Sequence, residues 1–246
     1  MSIGVEAANK AVARELVAAD GVSIVKRALA DGDLVGVHSH RRGTSAGDPG
    51  SAVIDILRFE RGRVAERWTL QRRVRPTGPG ERDEFEGADA SRDGEHDETG
   101  RAANRELVLR MQRMLFEEHR VDEAIDRCFD AARYAQHAPG APDGVEFIRA
   151  GFKRRFREHP QAASCLQHVI ADGDLVLIHR RSRLAPDAPL RLVCDIFRLE
   201  DGRIVEHWDV TQRGDDETDE RNPRHRSRRM SGADIALTVA RDANLD

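Results

Sequence analysis

Two stretches of the chain carry the same ionisable and aromatic residues at the same intervals. Asp55, Arg58, Glu66 and Trp68 lie in SAVIDILRFERGRVAERW (51–68), and Asp195, Arg198, Glu206 and Trp208 in RLVCDIFRLEDGRIVEHW (191–208). Asp195 interrupts a run of Leu, Val, Cys, Ile and Phe, so a strand there holds one carboxyl among hydrocarbon. Taking a carboxylate out of water disfavours its charge and raises its pKa, which suits a group that accepts and returns a proton near neutrality. The competing role is structural: an aspartate paired with an arginine, or one capping backbone amides at a bulge. His179 closes ADGDLVLIH (171–179) as His38 closes ADGDLVGVH (30–38), and His137 lies in the segment Tyr134-Ala135-Gln136-His137. Each histidine has a blander role available, His179 as a satisfied strand residue and His137 as a helix C-terminal cation.

His137, His179, Asp195 and Glu206 could converge on a metal, but no HExxH or i, i+4 histidine pair is present, so neither metal nor cofactor is expected. GxGxxG, Walker and GxSxG sequences are absent, and no cysteine has an evident activating neighbour. Nucleotide-dependent and nucleophilic chemistries have no support.

The elements that must position these residues repeat along the chain. The first matching block recurs after 141 residues and the second after 140, so the copies differ by one loop residue. In 175–179 Leu175, Leu177 and His179 alternate with Val176 and Ile178, the signature of a strand. Asp201-Gly202, with Arg61-Gly62 at the equivalent place, marks a two-residue hairpin turn. Counting back from that turn places Asp195 opposite Trp208 and Phe197 opposite Glu206 on one face, with Asp55 opposite Trp68 in the first copy. His207 and Asp209 then face away, toward an interface. Closure of a second hairpin by the loop 184–189 would bring His179 to the same cavity as Asp195. Upstream of the second copy, 103–159 reads as two or three helices, the first with Leu107, Val108, Met111, Met114 and Leu115 on one stripe. The first copy has only residues 1–29 for this purpose, aligned with the last of those helices, and no counterpart of YAQH.

Four segments follow: a truncated unit at 1–75, a flexible acidic linker at 76–102, a complete unit at 103–213 and a charged, mostly disordered tail at 214–246. The linker carries nine acidic and three basic residues and almost nothing apolar, too little to offset its ordering entropy. Charged residues make up 34% of the 246 and the net charge is −4, which gives no footprint for nucleic-acid binding. No apolar run is long enough to span a membrane, and an odd count of three cysteines without CxxC spacing argues for a reducing, cytoplasmic setting.

The second unit resembles the SnoaL-like polyketide cyclases of the nuclear transport factor 2-like (ketosteroid isomerase-like) superfamily. The likeness rests on Tyr134-Ala135-Gln136-His137, His168, Gly173-Asp174-Leu175-Val176 with His179, Asp195-Ile196-Phe197-Arg198, and Asp201 through Asp209. It implies an α+β fold, a cone-shaped curved antiparallel sheet with helices on one side, in one complete and one truncated copy. It also implies a cofactor-independent lyase, isomerase or cyclase acting on a small carbonyl compound. Asp195 would be the base, with His179 and His137 as its hydrogen-bonding partners. Tyr134, Gln136, Phe197, Glu206 and Trp208 would line the substrate pocket. The alternative is a non-catalytic small-molecule-binding or scaffold protein of the same fold. Related domains associate through their sheets, so a homodimer or an intramolecular pseudo-dimer is expected.

Overall fold

The computed structural model describes residues 3–87 and 98–214. A helix α1 (Ile3–Ala18) leads into four antiparallel strands in sequential order, β1 (Ser23–Asp31), β2 (Leu34–Arg41), β3 (Ser51–Glu60) and β4 (Arg63–Arg73). Then come α2 (Glu98–Phe116), α3 (Val121–Cys128), the two-residue β5 (Ala135–Gln136) and α4 (Val145–Glu158). Strands β6 (Ala163–Asp172), β7 (Leu175–Arg183), β8 (Arg191–Glu200) and β9 (Arg203–Arg213) form the second sheet, in the order β5-β9-β8-β7-β6. The α+β class and the segregation of helices to one face of each sheet are as expected from the sequence.

The two sheets share their irregularities. Each first hairpin is interrupted at the same place, between Val25 and Arg27 and between Leu166 and His168. Each last hairpin is interrupted between Arg58 and Phe59 and between Arg198 and Leu199. The final turns run through Arg61-Gly62 and Asp201-Gly202, all four residues at positive φ, the geometry of a two-residue hairpin matched to strand twist.

The last interruption corrects the register inferred from the sequence. Glu200 pairs with Arg203 and Leu199 with Ile204, as the turn requires, but Val205 is left unpaired and Arg198 meets Glu206. Asp195 therefore lies opposite Asp209, and Phe197 opposite His207, while Trp208 faces with Ile196. A one-residue slip sends every later side chain to the other face. Asp55 likewise meets Thr69 rather than Trp68.

Three apolar layers follow. Helices α2, α3 and α4 cover the inward face of the second sheet through Val108, Met111, Ile125, Phe156, Val176, Ile178 and Phe197. Helix α1 covers the outer face of the first sheet with Ala13 and Val17 against Val35, Val37 and Leu57. Between the sheets, Leu29, Ile54, Ile56, Trp68 and Leu70 pack on Ile170, Leu175, Leu177, Ile196, Trp208 and Val210. Gly36 permits the close approach, since a Cβ there would stand 2.7 Å from Leu177 Cδ1.

Reciprocal contacts fasten this layer. The Ala30 amide donates to Asp172 (2.8 Å) and the Ala171 amide to Asp31 (2.9 Å). Lys10 of α1 pairs with Asp172, and Arg105 of α2 with Asp31. The Arg27 guanidinium lies 3.9 Å from the Trp208 ring centre, and at the corresponding position in the second sheet His168 lies 4.4 Å from Trp68. Helix α1 rests on β1 and β2 as α2 rests on β6 and β7. It thus takes the place of the first helix of the second unit, not the last as the alignment implied, because the β1–β2 face is the one needing cover.

Part of the expected linker is built into this arrangement. Helix α2 begins at Glu98, and residues 81–87 lie against both halves; 88–97 are outside the described residues, as is the tail from 215. Phe85, the sole aromatic of the segment, stacks on His40 (4.5 Å) and His38 (5.6 Å). The Trp208 indole donates to the Glu86 carbonyl at 2.9 Å, and Glu84 is buried against Arg72. Gly87 has φ +92°, and a Cβ on it would fall 2.3 Å from Glu206 Oε1 and 2.6 Å from the Trp208 ring. One aromatic and a few backbone carbonyls thus suffice where composition alone gave no reason for order.

Because both halves contribute to the middle layer, Leu177→Ala should lower unfolding free energy by ~2–5 kcal/mol. The loss should appear as one cooperative transition in urea, followed in parallel by far-UV circular dichroism and tryptophan fluorescence.

Candidate functional site

The inward face of the second sheet carries a polar cluster inside its apolar wall. Asp195 sits mid-strand on β8 and is 5% exposed. Its Oδ2 accepts from Arg180 Nε at 2.9 Å and its Oδ1 from His207 Nε2 at 3.1 Å. The other imidazole nitrogen of His207, Nδ1, lies 2.8 Å from Gln136 Oε1. That oxygen also accepts from the Ala138 amide at 3.0 Å, which fixes the orientation of the Gln136 amide. Both nitrogens of His207 thus face acceptors. Gln136 Nε2 donates to the Tyr134 hydroxyl at 3.0 Å, leaving the phenolic proton free to be given elsewhere. Phe197 stacks on His207 at 4.8 Å.

The ionisation of this cluster is uneven. Burial pushes the Asp195 carboxyl up, but the Arg180 charge and the His207 hydrogen bond outweigh it and hold the group at about 2. Asp209, directly across the ladder, moves the other way: burial raises it, and the Asp195 charge adds to the rise against the opposing His207. Its Oδ2 accepts from the Thr211 hydroxyl at 3.0 Å. Tyr134 is buried, and burial together with the charges of Asp195 and Asp209 keeps its phenol well above the ordinary value.

Of the residues singled out in the sequence, the structure brings Asp195, Tyr134, Gln136 and Phe197 together. It places the others elsewhere. His179 is on the opposite face, between the sheets, with its Nδ1 3.0 Å from that of His168. The 184–189 loop does close a hairpin, pairing Ser182 with Arg191, yet alternation along β7 turns Arg180, not His179, toward Asp195. Glu206 and Trp208 also turn outward, a consequence of the unpaired Val205. His137 follows them: it stacks on Trp208 at 4.9 Å, its Nε2 meets Glu206 Oε1 at 3.0 Å, and its Nδ1 donates to the Asp83 carbonyl at 2.8 Å. These three fasten the 81–87 segment. The expected elevation of Asp195 is likewise corrected, since Arg180 and His207 supply the compensating charge that the sequence did not reveal. His207 and Asp209, assigned to an interface, belong to the cluster instead. Among the described residues no group of three or more His, Cys, Asp or Glu is disposed to hold a metal ion.

The first sheet shows what the same position becomes under the single helix α1. Asp55 accepts two bonds from Arg67 (2.9 Å each) and one from Thr69 (2.5 Å), on a face where Arg67 is more than a third exposed.

A curved antiparallel sheet roofed by three helices over an inward acid–base cluster defines a cone-type α+β domain. Residues 108–207 match the SnoaL-like domain family, and this part of the chain is a SnoaL-like domain. Among solved structures, the chain is similar to IdmH of Streptomyces antibioticus (18% identity, 44% of this chain and 91% of that one, TM-score 0.39). It is similar also to Bal32a from a soil-derived mobile gene cassette (21%, 46% and 91%, 0.40). A third is an LEH-like epoxide hydrolase of Mycobacterium tuberculosis (20%, 45% and 84%, 0.37). No curated protein matches the chain. No helix among the described residues is long and apolar enough to cross a membrane.

The split between the two carboxyls has a sign that pH can test. Asp195 is depressed when folded, so its stabilisation, on the order of 2 kcal/mol, is complete above pH ~4 and is lost as pH falls toward 2. Denaturant midpoints measured from pH 5 to 2 should show this loss in the wild type and not in Asp195→Asn. At neutral pH that variant strands Arg180 and should cost ~3–5 kcal/mol. Asp209 is elevated, so its ionised form weakens the fold above its pKa. Asp209→Asn should be at least as stable as wild type at pH 7, read by the same midpoints.

Proposed function

We propose that the second unit is a cofactor-independent enzyme that moves a proton on a small carbonyl compound, as a lyase, isomerase or cyclase. What supports this reading is the opposite displacement of two facing carboxyls, the arrangement that separates an acid–base group from a fixed charge. Asp209 is the group suited to take a proton from carbon alpha to a carbonyl. The C–H electron pair then passes into the enolate, whose oxygen is met by the neutral Tyr134 hydroxyl. Return of the proton to another carbon gives isomerisation, and attack of the enolate carbon on a second carbonyl gives ring closure. Asp195 acts as a positioning residue, with both oxygens committed to Arg180 and His207.

We further propose that 1–75 and 103–213 are copies of one unit, the first truncated, joined as an intramolecular pseudo-dimer through their sheets. The shared bulges and the reciprocal bonds of Asp31 and Asp172 support this. The three free cysteines, Cys128, Cys165 and Cys194, fit a reducing cytoplasm, and the net charge of −4 fits a small-molecule ligand over nucleic acid.

One observation favours a binding or scaffold role instead: Asp195 is saturated by its own neighbours, as Asp55 is in the first sheet. Proton exchange decides between the two. Wild type incubated in D2O with a panel of methyl ketones and 1,3-dicarbonyl compounds should speed loss of the alpha-proton NMR signal. Asp209→Asn should lower that rate by ~10²–10⁴, and Tyr134→Phe should lower it too, at a stability cost of ~1–3 kcal/mol from the Gln136 donor it leaves without its partner. No acceleration by wild type across the panel would assign the fold to binding alone.

A further inference from the structure

One end of the inward face holds more positive charge than the mechanism uses. Arg155, near the C-terminal end of α4, donates from Nη2 to the Ser182 hydroxyl at 2.8 Å. Its Nε is buried with no hydrogen-bond partner, and among the described residues no carboxylate lies within ion-pair distance of it. Arg180 stands beside it, also directed at Ser164 Oγ (3.5 Å), with Asp195 as its carboxylate. The two guanidiniums lie over one aromatic ring, Phe116, at 5.8 Å for Arg155 and 4.5 Å for Arg180. Ser164 and Ser182 are paired across β6 and β7, and both are buried. Burial and the charges of Arg180 and Arg191 bring Arg155 down to about 10, the mark of a cation lacking its counterion. Asp195 neutralises one charge of this corner, and the elevation of Asp209 reduces the remaining negative charge. Leaving a largely buried guanidinium without a carboxylate is costly, and among the described residues the only hydrogen bond that holds it here is the one to Ser182.

The geometry points to a carboxylate-binding corner formed by Arg155, Arg180, Ser182 and Ser164, so that the compound acted on is a carboxylic acid bearing its carbonyl toward Asp209. A guanidinium fork matches the two coplanar oxygens of a carboxylate, and the Phe116 ring offers a flat apolar flank to the body of the ligand. The inference rests on the inward face being the ligand hollow, as proposed above. It adds the polarity of the ligand and its orientation.

Benzoate, benzamide and inorganic phosphate test it by thermal unfolding of the full chain. Benzoate should raise the Tm of wild type by roughly 2–4 °C when present well above its Kd, and benzamide should not. Arg155→Met should lose the benzoate response while its own Tm stays level or rises, since it removes an uncompensated charge. A fall in the Tm of Arg155→Met with the benzoate response intact would make Arg155 a structural strut and overturn the proposal, as would the absence of any benzoate response in wild type. An equal response to phosphate would overturn the carboxylate assignment. Catalysis fails separately: a benzoate response lost in Arg155→Met, with no alpha-proton exchange in any compound, would keep the anion corner and refute the enzyme. Exchange equally fast on 3-oxo acids and their methyl esters would do the reverse.

Discussion

The apolar layer between the two sheets is the constraint on which the remaining structure depends. Each sheet must bury one face against the other, through Leu29, Ile54, Ile56 and Trp68 on one side and Leu175, Leu177, Ile196 and Trp208 on the other. Burial of this kind is worth about 25 cal/mol per Å² of apolar surface, and neither sheet could leave such a face in water without inviting association. Committing one face to this layer leaves the other for helices, and only the second half has three of them. The enclosed cluster of Asp195, His207, Asp209, Tyr134 and Arg180 exists on that roofed face. Its counterpart Asp55 is buried on the face that α1 covers and closed by its own ion pair with Arg67.

Within that frame Val205 decides the composition of the cluster. An unpaired residue in β9 rotates the later part of the strand by one position, so that His207 and Asp209 join Asp195 while Glu206 and Trp208 go to the other side. The chemistry of the inward face and the adhesion of the outward face are therefore set by the same irregularity. Trp208 is the clearest case: it fills the layer between sheets, receives the Arg27 guanidinium, stacks on His137 and donates to the Glu86 carbonyl.

Much of this was legible in the chain. The repeat showed in ADGDLVGVH and ADGDLVLIH, the hairpin in Asp201-Gly202, the helical stripe in Leu107 through Leu115, and the inward carboxyl in the hydrocarbon around Asp195. The faces were not, because a bulge leaves no compositional mark: Val205 is as good a strand residue as its neighbours, and counting from a correctly located turn gave the wrong partners. Ionisation was hidden for a related reason. Arg180 is adjacent to Asp195 only across the β7–β8 ladder, and its inward direction follows from alternation with Val176 and Ile178, a signal that was present but attached to His179. Order in 81–87 depends on backbone carbonyls and one ring, to which composition is blind.

The reciprocal bonds of Asp31 and Asp172 have a consequence for how this molecule can vary. In an assembly of two identical chains, every substitution near the twofold axis is made twice, and a change that helps one position must be tolerated at its mirror. On the proposed reading of the chain as two joined copies, covalent fusion removes that coupling. Arg27 and His168 occupy matching stations, yet one offers a guanidinium to Trp208 and the other an imidazole to Trp68. On the same reading the joined halves meet at an effective concentration fixed by the tether and not by expression level, so dilution cannot part them. One half is then free to become a dedicated backing plate, and the other to specialise its interior.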